Sequence, residues 1–218
     1  MLLLLSTLGG KLVAQAPSKA NPGRVVVLGD SITAGYGLDA QSAYPALLQK
    51  KINAAGLNYT VINAGVSGDT TSGGLRRVAW ALGSRADVLV IALGGNDGLR
   101  GIPPEETSKN LTGIINKART KFPDIGIIIA GMQMPDNMGV EFVGKFRAVF
   151  PAVAKATKAT LVPFLLEGVG GIPGLNQDDR IHPTAEGQEI VAANVWPALE
   201  KLLSTEPPTA QPSQGNIE

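Results

Sequence analysis

The chain contains no cysteine and only one histidine among its 218 residues. Disulfides, thiolate catalysis and cysteine-ligated metals are thereby excluded. A lone imidazole, with no carboxylates clustered at ligand spacing, argues against a catalytic zinc, and no metal or other cofactor is expected. Charge is sparse as well: charged residues make up 17% of the chain and the net charge is +1. No basic run exceeds two residues (Lys50-Lys51, Arg76-Arg77), so nucleic acid is not an expected partner. Aromatics are 5% of the chain, and both tryptophans, Trp80 and Trp196, fall in predicted helices. What remains is 44% hydrophobic, enough to bury a substantial core in one domain.

The scarcity of histidine concentrates the search for chemistry. His182 lies in Asp179-Arg180-Ile181-His182-Pro183 and is the one candidate for an imidazole general base. Asp179, three residues upstream, is close enough for a local turn to bring its carboxylate to one ring nitrogen. The other nitrogen would then be free to take a proton. A nucleophile candidate lies at the opposite end of the chain. Val25-Val26-Val27-Leu28 is an apolar, β-branched run that stops at Gly29-Asp30-Ser31-Ile32-Thr33. Such a run reads as a buried parallel strand, and residues just beyond its carboxyl end line the crevice where open α/β sheets bind ligands. Ser31 is therefore placed where a reactive hydroxyl is useful. Thr33 stands where the G-x-S-x-G elbow requires glycine, so the α/β-hydrolase motif is absent.

Two further segments have the same form. Val61-Ile62-Asn63-Ala64-Gly65-Val66-Ser67-Gly68-Asp69-Thr70 is an apolar strand running into a glycine-rich turn, and Asp87 to Leu93 is another strand, followed by Gly94-Gly95-Asn96-Asp97. Acyl transfer needs donors aimed at the oxygen that becomes negative in the tetrahedral intermediate; backbone N–H groups at glycines and an asparagine amide can both serve. Each segment alone reads equally as a β-to-α turn. All four in order suit one crevice.

The segments Gly29-Asp30-Ser31, Gly68, Gly94-Gly95-Asn96-Asp97 and Asp179-x-x-His182 resemble the four blocks of the SGNH, or GDSL-type, hydrolases. The resemblance runs from about Arg24 to Leu203. Leu93 to Gly101 and Gln177 to Pro183 look most like the bacterial periplasmic acyl-thioesterase/lysophospholipase/arylesterase branch. The resemblance implies Ser31 as nucleophile, His182 as base and Asp179 as its orienter. It implies an oxyanion hole from the N–H groups of Ser31 and Gly68 and the side chain of Asn96. Asp178 also neighbours the histidine, but the family spacing selects Asp179. The resemblance also marks Gly98 to Ile102 as a loop that shifts on substrate binding, and it implies a flavodoxin-like, three-layer α/β/α sandwich around a five-stranded parallel sheet. Asp30 and Asp97 read as local turn-stabilisers, because carboxylates there can bond nearby backbone N–H groups.

Strands are expected near 24–29, 59–63, 87–93, 125–130 and 160–163, and helices near 42–55, 72–82, 104–121, 140–157 and 183–203. This alternation argues for a parallel sheet covered on both faces and joined by right-handed crossovers. Pro183 suits the first turn of the last helix, with His182 at its mouth. Met1 to Gly10 is an apolar stretch too short to span a bilayer, and Ala14-Gln15-Ala16 has the small-x-small form of a cleavage site. The expected organisation is a signal peptide over 1–16, a hydrolase domain over 17–203 and a flexible tail over 204–218, with export to the periplasm or medium and no integral membrane domain after the leader's removal.

The segments flanking the expected site are apolar: Leu99 and Ile102; Met132, Met134 and Met138; Leu165, Leu166, Val169, Ile172 and Leu175. Phe164 is almost their only aromatic, whereas sugar-binding clefts usually offer aromatic faces. Flexible methionines and leucines suit an acyl chain instead. Gly98, Leu99, Arg100, Ile102, Met132 and Met134 are the expected substrate contacts, and Arg100 reads either as a contact for a polar head group or as a solvated surface residue. The expected activity is hydrolysis of small-molecule acyl esters and thioesters through an acyl-serine. Two alternatives stand beside it: a carbohydrate O-deacetylase on the same catalytic parts, and a catalytically idle module that holds a ligand in the same crevice.

Overall fold

The computed structural model describes residues 21–205. The expected signal peptide, and the expected tail beyond residue 205, lie outside the described residues. Five strands form one sheet: β1 (Gly23–Gly29), β2 (Tyr59–Gly65), β3 (Val88–Ala92), β4 (Gly126–Ala130) and β5 (Thr160–Val162). Every neighbouring pair is parallel and the order is β2-β1-β3-β4-β5. The reason for the strands is visible in their composition. Val25, Val26, Val27 and Leu28 of β1 and all five residues of β3 are buried, as expected of central strands covered on both faces.

Each parallel pair needs a crossover, and the helices supply it. α1 (Ser31–Ala34) and α2 (Tyr44–Ala54) follow β1; α3 (Thr71–Ala81) follows β2; α4 (Gly95–Leu99) and α5 (Pro104–Lys121) follow β3; α6 (Val140–Thr157) follows β4; α7 (Ala185–Thr205) closes the described chain. The path from β1 to β2 runs one way across the sheet and the path from β2 to β3 runs back. Right-handed crossovers therefore place α2 on one face and α3, α5 and α6 on the other. Helix contacts agree: α2 packs on α7, α3 on α5, and α5 on α6. This is the expected three-layer α/β/α sandwich. The direction reverses between β1 and β3, so the crevice that binds ligands in such sheets opens at the carboxyl ends of these two strands.

Three expectations change. The last helix starts at Ala185 rather than Pro183. The Thr184 hydroxyl accepts the Gly187 N–H at 3.3 Å and caps the helix, leaving Pro183 in an isolated bridge to Asn176. The same helix runs on through Ser204 and Thr205, the first two residues of the expected tail. Two short helices, α1 and α4, stand where only turns were expected.

Candidate active site

Ser31 is the first residue of α1, immediately beyond β1. Asp30 precedes it and caps the helix, accepting the Ile32 N–H at 3.0 Å. Gly29 is required at this turn because α1 folds back over the strand end. A Cβ there would overlap the Thr33 side chain and lie 3.0 Å from the Ala92 carbonyl oxygen. The turn therefore holds the Ser31 hydroxyl at the sheet's carboxyl edge.

His182 meets it from a loop 151 residues away, with Nε2 2.8 Å from Ser31 Oγ. Its Nδ1 lies 2.5 Å from Asp179 Oδ2. Asp179 Oδ1 accepts the backbone N–H groups of Ile181 and His182 at 2.9 and 3.0 Å. One carboxylate thus shapes the turn and orients the ring. The bond from the His182 ring, with these backbone bonds, holds the Asp179 carboxyl down at about 2. The loop itself is pinned by the Gln177 N–H, which donates to the His182 carbonyl at 2.8 Å. Arg180, between Asp179 and His182, sits at φ 59°, in the left-handed region that a side chain rarely occupies.

The expected oxyanion donors follow three neighbouring strands: Ser31 comes after β1, Gly68 after β2 and Asn96 after β3. Ser31 and Gly68 make no hydrogen bond through their N–H groups among the described residues. Gly68 is the third residue of a turn closed by the Asp69 N–H to the Val66 carbonyl, 3.0 Å, and its φ of 78° suits glycine there. Asn96 sits in α4 beyond β3 and donates its amide to the Asp69 carbonyl at 2.9 Å; Asp30 Oδ2 lies 3.5 Å away. The Asp30 carboxyl is almost wholly buried, and loss of solvent pushes it up to about 6 even though the Ile32 N–H favours the ion.

Asp97 departs from expectation. Its carboxylate does not close its own turn; it accepts the Thr71 N–H at 2.9 Å and a very short bond from the Thr71 hydroxyl, 26 residues away. Asp97 is fully buried and fastens α4 to the start of α3.

A cavity of about 310 Å³ opens beside Ser31, with Ile32 and Gly95 in its wall. Leu99, Met132 and Met134 line it, together with Phe164, Leu166 and Ile181. Three expected contacts do not line it. Gly98 is buried against Met134, where a Cβ would overlap the thioether. Ile102 is half-buried, its N–H donated to the Asp97 carbonyl at 2.9 Å. Arg100 donates to the Gly68 carbonyl at 3.0 Å and braces the Gly68 turn from outside. Leu165 and Val169 belong to the core. Tyr36 was not singled out from sequence: its ring lies 4.6 Å from that of His182, tilted by 37°. No local motif marks a residue brought to the histidine by long-range packing.

The profile of the GDSL-like Lipase/Acylhydrolase family matches residues 27–190. Esterase TesA of Pseudomonas aeruginosa is 45% identical over 180 residues, 82% of this chain and 89% of that protein. Thioesterase 1/protease 1/lysophospholipase L1 of Escherichia coli K12 is 36% identical over 183 residues, 83% of this chain and 85% of that one. Among solved structures, the psychrotrophic esterase EstA from Pseudoalteromonas sp. superposes with a TM-score of 0.77 at 30% identity, covering 84% of this chain and 99% of that one. The chain belongs to the GDSL-like lipase/acylhydrolase family and is a carboxylic ester hydrolase of the SGNH type.

Proposed function

We propose that this chain is a serine esterase that cleaves acyl esters and thioesters, lysophospholipids included, through an acyl-Ser31 intermediate. The observation that carries the reading is the continuous chain from Ser31 Oγ through His182 to Asp179, at 2.8 and 2.5 Å, beside an apolar cavity. Neutral His182 takes the proton from Ser31 as the hydroxyl attacks the acyl carbon. The imidazolium then returns that proton to the leaving alcohol or thiol. Asp179 fixes the tautomer, with the proton on Nδ1, and stabilises the imidazolium. The N–H groups of Ser31 and Gly68 and the amide of Asn96 receive the oxyanion. Water, activated by the same imidazole, releases the acid and restores the serine.

The acyl chain is assigned to the cavity lined by Leu99, Met132, Met134 and Leu166, whose side chains read chain length rather than leaving group. Export to the periplasm or medium is part of this reading. It is supported by the apolar Met1 to Gly10 stretch with Ala14-Gln15-Ala16 behind it. Among the described residues, no helix is long and apolar enough to cross a membrane.

The reading is tested with a panel of aryl acyl esters, acyl-CoAs, lysophospholipids and acetylated sugars on wild type and Ser31→Ala. Specificity is expected to rise from acetyl to medium chains, with all turnover lost in Ser31→Ala. Acetylated sugars outranking every acyl ester would transfer the assignment to the carbohydrate deacetylase. No turnover of any member would leave the binding module.

A further inference from the structure

We propose that Arg77 is a positioning residue for the oxyanion hole, acting through Asp69 on both Gly68 and Asn96; this rests on the serine-esterase reading. Arg77 lies in α3, and its guanidinium is largely buried, with its side chain 18% exposed. Three of its N–H groups are committed. Nε donates to Asp69 Oδ2 at 2.6 Å, Nη1 to the Ala64 carbonyl at 2.8 Å and Nη2 to the Gly29 carbonyl at 2.8 Å.

Those three acceptors are the parts that carry the site. Gly29 ends β1 and is two residues from Ser31. Ala64 is near the end of β2, on the way into the Gly68 turn. Asp69 closes that turn through its N–H and holds the Asn96 amide through its carbonyl, at 2.9 Å. One planar cation therefore fixes the distance between the strand that delivers Ser31 and the turn that delivers Gly68. Through the Asp69 carbonyl it also fixes where Asn96 waits. The other oxygen of Asp69 is confined too: it accepts the Thr70 N–H at 3.1 Å, and a Cβ on Gly73 would overlap it, so glycine there makes room for the carboxylate.

A rigid fork suits this task where an ammonium does not. Lysine at position 77 could keep the charge against Asp69 but could not span all three acceptors in one plane. Oxyanion donors stabilise the transition state only when already in place, so loosening them lowers kcat more than it raises KM.

The test measures kcat and KM for an aryl acyl ester in Arg77→Gln, Arg77→Lys, Asn96→Ala and both double variants, with melting temperature as a check on folding. Arg77→Gln is expected to lower kcat roughly tenfold or more with KM within about twofold, and Arg77→Lys to recover part of the loss. In the Asn96→Ala background the same changes should cost less than in the wild type, because the share that passes through Asn96 is already removed while the share that passes through Gly68 remains. If Arg77→Gln does not fold, Arg77→Lys with and without Asn96→Ala carries the comparison. Losses that multiply in the double variants, a rise in KM with kcat intact, or normal kcat in a folded Arg77 variant would overturn the proposal. Full turnover by Ser31→Ala in the same assay would instead overturn the esterase reading beneath it.

Discussion

At the scale of single residues, the site is built from side chains whose second partners matter as much as their first. Asp179 spends one oxygen on the backbone of Ile181 and His182 and the other on the ring. Held down at about 2, it stays ionised well into the acid range. Turnover is expected to fall on the acid side, since an imidazolium cannot accept the serine proton. Asp30 is the competing group, because burial pushes its carboxyl up to about 6. Asp30→Asn keeps an acceptor for the Ile32 N–H, so its pH–rate profile should retain the acid limb; loss of the limb in this variant would reassign it to Asp30.

The same carboxyl makes a stability prediction. Its pKa in the folded chain is raised, so between about 4 and 6 the folded state binds more protons than the unfolded one. Stability therefore falls as pH rises through that window, by on the order of 3 kcal/mol at most. Melting temperatures of wild type relative to Asp30→Asn should fall across it, and parallel curves would show that Asp30 carries no such strain. Asn96→Ala should lower kcat roughly a hundredfold with a smaller change in KM. Normal turnover with reduced stability would make Asn96 a turn residue.

At the scale of elements, what was legible followed from periodicity. The buried runs of β1 and β3, and α5 and α6 with their long amphipathic patterns, lie within a residue of where the sequence places them. α1 and α4 were not legible, because four or five residues carry no period; they exist through the Asp30 cap and the sharp turn at Gly94, φ 122°. The start of α7 was misplaced because Pro183 fits a first turn as well as it fits the bridge that precedes one. Thr184→Ala, which removes the cap, should cost about 1 kcal/mol by chemical denaturation, and no loss would show that the helix start needs no hydroxyl. The wall elements give another test. Leu99 lines the cavity from the end of α4. Leu99→Asn should flatten the rise of kcat/KM with chain length, each buried methylene being worth up to about 0.8 kcal/mol, and leave acetyl esters nearly unchanged. An unaltered profile would place the acyl chain elsewhere.

At the scale of the whole molecule, the sheet order 2-1-3-4-5 puts the reversal of direction between β1 and β3, and Ser31 and Asn96 follow those two strands. Sequence could reach this only through the four blocks in order. Tyr36 against His182, Asp97 on Thr71 and the clamp at Arg77 depend on neighbours 26 to 146 residues apart or on α3 packing beside two strand ends, and no local pattern announces them. The central claim for the molecule is that Ser31 is its nucleophile. The most direct measurement is to label the intact protein with a fluorophosphonate and map the modified peptide by mass spectrometry. One adduct is expected, on Ser31, formed as ester turnover is lost, absent from Ser31→Ala and strongly slowed in His182→Ala. An adduct on another serine that tracks the loss of activity, or full ester turnover by Ser31→Ala, would contradict it.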